Sequence, residues 1–272
     1  MRKLSHTSIA AFIAILALAA NANAADLEPY DGGSLKDGFL PHGSFVWTGL
    51  YVGAHGGYAF GDSSSRDGGT DFNNPTQQPP HGAFSCAGPA DAYCGVPVEI
   101  EPEGGLAGGQ IGYNFQRGNL VLGAEGELGW LNASENGIVD RPNAQDPTDQ
   151  DILSVEYSWY GTLALRAGYA ADNALFYAKG GLAIAEIETF AADVDPGGIY
   201  AGSVIDTSDV ETGWALGGGI EYAITPQVSL KAEYLYMDFG SSNAVSSDGD
   251  VYETDHALHT AKLGVNFLLS RP

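Results

Sequence analysis

The segment 155–169 of the chain reads VEYSWYGTLALRAGY, and it decides the predicted fold because its apolar and polar side chains alternate. The odd-numbered positions are almost all apolar, whereas Glu156 and Arg166 lie on the even-numbered face. A period of two residues predicts a β-strand. Ordinary strands have about 5 or 6 residues, and a strand that crosses a bilayer at a tilt needs about 9 to 11. The segment is therefore predicted to be a membrane-spanning strand with an apolar outer face and a polar inner face.

The composition fits a β-protein and argues against two other classes. The 272 residues include 38 Gly and 14 Tyr, which favour β architecture. Beyond the first few dozen residues no run of about 18 apolar residues occurs, which excludes a helical membrane protein. The formal net charge of −23 argues against a protein that binds nucleic acid through bulk electrostatics.

The N-terminal residues predict export from the cytoplasm. A positively charged start and an apolar stretch over 9–20 precede a small-residue site, which together predict a secretory signal peptide over 1–24. Cleavage is expected between Ala24 and Ala25. The next residues, 25–46, show no sustained period and predict a periplasmic N-terminal leader.

Two cysteines fit an exported protein. Cys86 and Cys94 lie in a segment rich in Pro and Gly, and in an oxidising compartment they are expected to close a small disulfide loop. Such a loop stabilises by about 2–3 kcal/mol on the chain-entropy model. The alternative, a metal or redox pair, lacks the short Cys-x-x-Cys spacing. No metal site and no cofactor are predicted.

Seven further segments alternate in the same way, so eight strands are predicted over 47–272. Long polar segments alternate with short turns between them, which predicts an up-and-down barrel with the short turns and both termini on the periplasmic side. Most of the acidic residues lie between the strands and predict solvated loops. The predicted external loops cover residues 61–104, 132–153, 188–211 and 240–255.

The inward positions of the predicted barrel carry a nearly balanced set of charges. Eight strands enclose an interior that side chains can fill, and buried charges must be paired or hydrogen-bonded. An ion-pair lattice in the lumen is therefore predicted, and a narrow path for ions or small solutes is the alternative. The predicted lattice residues are Glu125, Glu127, Glu156, Arg166, Lys179, Glu221, Lys231, Glu233 and Lys262.

Two features invite a catalytic interpretation. Glu125 and Glu127 could form an acid–base pair, but both belong to the inward face, where cations on other strands favour structural pairing. His259 lies on the outward face, where a lipid-modifying barrel enzyme would need it. No serine or acidic neighbour at matching depth is apparent in the sequence, so a place in the aromatic girdle is favoured and the chain is predicted not to be an enzyme.

Several strand motifs occur in a characteristic order. The first strand begins WTGLYVG at 47–53, later strands carry YAKGG at 177–181 and AEY at 232–234, and the last contains HTAKLGVNF at 259–267. In this order the motifs resemble the small outer-membrane β-barrel family, the OmpA-like and porin-like surface proteins of Gram-negative bacteria. The resemblance implies outer-membrane lipid and the outer-membrane assembly machinery as partners. Family members usually end on an aromatic residue that this machinery recognises, and Pro272 stands there in this chain.

The sequence therefore predicts an all-β protein, an eight-stranded antiparallel up-and-down transmembrane β-barrel in the cell outer membrane. Its predicted function is structural, with a side-chain-filled lumen and acidic loops presented to the exterior. A small porin-like channel for ions or small solutes is the alternative, and a lipid-modifying enzyme is a further one. Contact of the loops with an external ligand or a host molecule also stays open.

Overall fold

The structure is a computed structural model that describes residues 45–67, 98–140, 150–195, 198–245 and 251–269. The predicted signal peptide with its cleavage between Ala24 and Ala25, most of the leader and the Cys86–Cys94 disulfide lie outside the described residues. These three features stay predictions. Within the described residues, no helix is long and apolar enough to cross a membrane.

Eight long antiparallel strands form a ring in the described part of the chain. Each long strand pairs with its neighbours in sequence, and the pairing of the first with the last closes the ring. A further strand of three residues pairs with the first one at its outer end. The predicted all-β, eight-stranded, up-and-down architecture is confirmed. The strands are β1 (Gly49–Asp67), β2 (Val98–Ile100), β3 (Glu103–Arg117), β4 (Leu120–Asp140), β5 (Gln150–Ala171), β6 (Ala174–Asp195), β7 (Gly198–Ala223), β8 (Val228–Val245) and β9 (Val251–Leu268).

Short turns join the strands at one end of the barrel, where the sequence predicts them. They lie at residues 118–119, 172–173 and 224–227. Gly118 and Asp172 adopt positive φ angles of 61° and 52°, which tight two-residue hairpin turns require. This end is called the proximal end below, and the opposite end is called the distal end.

At the distal end the strands continue far beyond their predicted limits. β6 and β7 remain paired out to Asp195 and Gly198, so most of the predicted loop 188–211 is a hairpin. β4 and β5 extend in the same way through most of 132–153. Polar residues suggested loops here, but the main chain stays paired from strand to strand, and polar side chains are compatible with strands that extend beyond the lipid into water. The predicted strand ends are therefore corrected outward.

The outer surface of the barrel carries an apolar belt. Leu163, Leu165, Leu182 and Leu263 point outward from it and are 64–73% exposed. Exposed aromatic side chains border the belt on both sides, as in barrels that cross a bilayer. The proximal band contains Tyr113, Phe115, Tyr169, Phe176, Tyr222 and Phe267, and the distal band contains Phe60, Trp130, Trp214 and Tyr234.

Candidate functional site

Eight of the nine predicted lattice residues form one buried cluster across the lumen. Lys179 lies at its centre, with Nζ 2.9 Å from Glu125 Oε1, 3.1 Å from Glu127 Oε1 and 2.9 Å from Glu233 Oε1. The paired side chains are at most 4% exposed. The cluster, called the ionic layer below, consists of Glu125, Glu127, Arg166, Lys179, Glu221, Lys231, Glu233 and Lys262.

Two more lysines complete the neutralisation of these carboxylates. Lys231 Nζ lies 3.1 Å from Glu127 Oε1, and Lys262 Nζ lies 2.8 Å from Glu127 Oε2 and 2.9 Å from Glu233 Oε1. Four carboxylates thus face four cations that come from different strands. Buried ion pairs compensate for lost hydration only when such geometry is good, so the ionic layer fixes the strands that contribute to it in one register.

Arg166 extends the ionic layer towards the proximal end. Its Nη2 lies 3.0 Å from Glu221 Oε2, and its Nη1 donates a hydrogen bond of 2.8 Å to the Tyr51 hydroxyl. That hydroxyl in turn donates to Glu125 Oε2 at 2.7 Å. The guanidinium carbon lies 4.0 Å from the centre of the Tyr177 ring, a cation–π arrangement. The sequence analysis did not assign Tyr51 and Tyr177 to the lumen. Each of them nevertheless stands between outward-facing residues of its strand, which places it on the inward face.

Glu156, the ninth predicted residue, is not part of the ionic layer. Its side chain is exposed. A β-bulge shifts the register of β5 against β6 between Tyr157 and Trp159, and an extra residue exchanges the two faces of a strand beyond it. Val155 and Tyr157 therefore point into the lumen and are fully buried. The predicted placement of these three residues is thus corrected.

Apolar side chains fill the lumen on both sides of the ionic layer. The proximal layer includes Phe45 and Trp47, whose rings meet edge to face with centroids 4.6 Å apart. They come from the chain just before β1, which enters the lumen. The distal layer is larger. It consists of Ala59, Ile100, Leu106, Leu131, Ala133, Val155, Tyr157, Tyr160, Ala183, Ala185, Ile187, Ala215, Leu235, Met237, Phe239 and Leu258.

The ionic layer contains a group of carboxylates with the spacing of a metal site. Ligand oxygens of Glu125, Glu127 and Glu233 lie within 4.8 Å of one another. The Lys179 ammonium is within 3.1 Å of all three carboxylates. The protein's own cation therefore takes the place that a metal ion would need.

Two histidines of the described barrel, His259 and His55, lie in different environments. His259 stacks on Phe60 with ring centroids 5.1 Å apart, and its Nδ1 lies 2.5 Å from the Tyr234 hydroxyl. It belongs to the distal aromatic band. His55 points into the lumen, where its ring nitrogens bond to Gln110 and Tyr160. Both rings are therefore held by structural contacts.

Comparison with known proteins agrees with this geometry and with the resemblance of the strand motifs. The family model for the outer membrane protein beta-barrel domain matches residues 8–267. The chain is 31% identical over 237 residues to the 31 kDa outer-membrane immunogenic protein of Brucella melitensis biotype 1, covering 84% of this chain and 85% of that protein. It is 26% identical over 160 residues to the 22 kDa outer membrane protein of Rhizobium leguminosarum bv. viciae, covering 58% and 64%.

Among solved structures, Neisserial surface protein A matches with a TM-score of 0.37 at 13% identity, covering 82% of this chain and 98% of that chain. The family model and the Brucella relative each span most of the sequence. The chain therefore belongs to the outer membrane protein β-barrel domain family and is an outer-membrane protein.

Proposed function

We propose that this protein is a structural surface barrel, which keeps a closed lumen in the outer membrane and presents an acidic exterior. The observation that carries the proposal is the ionic layer. Its paired side chains are at most 4% exposed, and this burial supports a lumen without a water-filled path between them. An eight-stranded barrel has just enough interior for such filling.

The apolar layers add a second barrier to transport. Before it reached the ionic layer, an ion that entered from the distal end would meet Leu235, Met237 and Leu258, which are fully buried in one apolar cluster. Narrow apolar constrictions exclude water and thereby ions. Passage through the lumen would require both the apolar layer and the ionic layer to open, which supports a structural function over a porin-like one.

The candidate acid–base pair is unsuited to catalysis. Glu127 contacts the ammonium groups of Lys179, Lys231 and Lys262, and its side chain is fully buried. A general acid or base must reach a substrate and exchange a proton with it. These contacts support a structural role for Glu125 and Glu127 and therefore a function other than catalysis.

The distal exterior supports the second part of the proposal. Beyond the aromatic band the outward side chains include Asp62, Glu156, Glu188 and Asp206, all of them exposed. The whole chain has a net charge of −23. A surface of this kind repels anions and attracts cationic partners.

Single-channel recording in planar lipid bilayers tests the closed lumen. We expect the purified wild-type barrel to insert without producing stable conductance steps. A preparation from cells that carry the empty expression vector is the matched control, because it reports contaminating porins. Conductance steps that occur with the barrel but not with the control would contradict the proposal if Glu127→Gln alters their amplitude or ion selectivity. Such steps would show that the lumen conducts.

A further inference from the structure

The ladder between β7 and β8 ends at the distal aromatic band, although both strands continue beyond it. Trp214 and Asp238 form its last pair. In the described part of the chain, residues 207–213 pair with β6 alone, Phe239 has no ladder partner, and residues 240–245 pair with β9 alone. The two stretches therefore diverge beyond Gly213, which still lies against the main chain of Asp238 and Phe239. The opening between 207–213 and 239–245 is called the seam below.

A β-bulge in β8 explains the seam. Against β9, Asp238 pairs with Ala257 and Gly240 pairs with His256, so Phe239 is an extra residue. Gly240 has a φ of 69°, which glycine adopts without strain, and its N–H donates to Asp238 Oδ1 at 2.9 Å. Phe239 turns inward and is buried. Bulges bend a strand and end its pairing, so β8 leaves β7 at this point.

The inward face of β7 at the seam is accessible to solvent. Asp209 and Ile187 are ladder partners and share a face, yet Ile187 is 3% exposed and Asp209 is exposed. Glu211 is half-buried although its partner Ala185 is completely buried. Among the described residues, the seam therefore combines an unpaired strand edge with two accessible carboxylates.

The other side of the seam carries a cavity of about 290 Å³ beside the bulge. Asp62, Tyr236, Asp238, Gly240 and Asp255 are among its lining residues. It lies where β1, β8 and β9 emerge from the aromatic band, and three of its side chains are carboxylates. Asp238 thus places an acidic group on the β8 side of the seam, and Asp255 and Asp62 follow on β9 and β1.

We propose that the seam is a strand-addition site for an extended polypeptide segment rich in lysine or arginine. An unpaired strand edge offers main-chain hydrogen bonds to any extended peptide. The acidic side chains on both sides select a basic one, because like charges across an interface are costly. A second copy of this chain, with its net charge of −23, fits the seam less well than a basic partner. This inference is independent of whether the lumen conducts.

A labelled peptide of about eight residues, in which Thr and Lys alternate, is a suitable probe. Its binding to the full-length barrel in zwitterionic lipid nanodiscs can be measured by fluorescence anisotropy. We expect saturable binding that is at least about tenfold tighter than that of the matched Thr–Glu peptide. The same Thr–Lys peptide with alternate backbone nitrogens methylated keeps its charge but loses ladder bonds, so it should bind about tenfold more weakly.

Variants locate the binding to the seam. Asp209→Asn/Glu211→Gln should weaken binding of the Thr–Lys peptide by about tenfold. Glu101→Gln/Glu156→Gln removes the same charge from two exposed positions, one between β2 and β3 and one on β5, and should leave binding unchanged. The gel mobility of each variant is measured before and after boiling. A shift equal to that of the wild type verifies that the variant forms the barrel.

Hydrogen exchange followed by mass spectrometry reports the main-chain contact directly. Bound Thr–Lys peptide should slow amide exchange in 207–213 or 239–245, and the methylated peptide should not. Equal binding of the methylated and unmethylated peptides would show attraction of charge alone and overturn the proposal. Unchanged affinity in Asp209→Asn/Glu211→Gln, or absence of any saturable binding, would overturn it as well.

Discussion

The two halves of the lumen are filled in opposite ways. Inside the apolar belt, β6 points Lys179 inward and Leu182 outward, whereas beyond the distal aromatic band the same strand points Ile187 inward and Glu188 outward. Lipid accepts apolar side chains on the belt, so the interior is left for polar groups that must pair with one another. Beyond the lipid, water reverses the preference and apolar side chains return to the interior.

One strand can therefore be amphipathic in both senses along its length, with its polar face inward within the belt and outward beyond it. The ionic layer depends on complementary charges, and each carboxylate is stable there only while its cations are present. The distal layer depends on close packing of apolar side chains, which tolerates changes of identity better than changes of volume. The two layers should therefore respond to mutation in different ways.

The largest effect is expected from Lys179→Met. This substitution keeps a long side chain but removes the cation shared by Glu125, Glu127 and Glu233. Loss of one partner of a buried ion pair costs about 3–5 kcal/mol, so the free energy of unfolding should fall by that amount. Urea denaturation in detergent micelles, followed by tryptophan fluorescence, measures it.

Arg117→Met is the matched control, since Arg117 is exposed beside a proximal turn. It should change the free energy of unfolding by no more than about 0.5 kcal/mol. Adding Glu127→Gln to Lys179→Met should recover part of the lost stability, because it again makes the numbers of carboxylates and cations in the ionic layer equal. Equal losses for Lys179→Met and Arg117→Met would show that the ionic layer does not stabilise the barrel.

An intermediate effect is expected in the distal layer from Met237→Ala. Met237 is fully buried next to Leu235 and Leu258 on the inward face. Truncation of a buried methionine leaves a cavity and costs about 2–4 kcal/mol. The same urea titration measures the loss, and Glu127→Gln should not relieve it. A loss below about 0.5 kcal/mol would show that the distal half is not packed as a core.

The proximal half was predictable from the sequence because its pattern is regular. Alternation placed eight of the nine lattice residues correctly on the inward face, since neither the apolar belt nor the short turns interrupt the period of two there. Tyr51 and Tyr177 carried the same signal, because each stands between outward apolar residues. Their roles were missed because tyrosine also occurs in the outer bands.

The distal half was not predictable in the same way. Ala185 and Ile187 alternate with acidic residues, and the overall polarity of this segment suggested a loop. Bulges are a second reason, because an extra residue has no constant sequence signal and exchanges the two faces beyond it. Gly240 is compatible with the bulge at Phe239, whereas nothing in the sequence around Ser158 indicates the bulge in β5.

The smallest effect is expected from Glu156→Gln, and it tests the bulge in β5. Because the bulge turns Glu156 outward, the substitution should change the free energy of unfolding by no more than about 0.5 kcal/mol. Membership of the ionic layer would instead give a loss comparable with that of Lys179→Met. The two outcomes differ by several kcal/mol, so one titration separates them.

Chemical labelling gives the same answer without a stability measurement. In a chain with Cys86→Ser and Cys94→Ser, a cysteine introduced by Glu156→Cys should react with a membrane-impermeant maleimide in the native barrel. Tyr157→Cys should react only after unfolding, since position 157 is fully buried in the lumen. The reverse order of reactivity would mean that β5 keeps a period of two through Ser158. The exchange of polar and apolar faces beyond the distal aromatic band would then have to arise in the neighbouring strands alone.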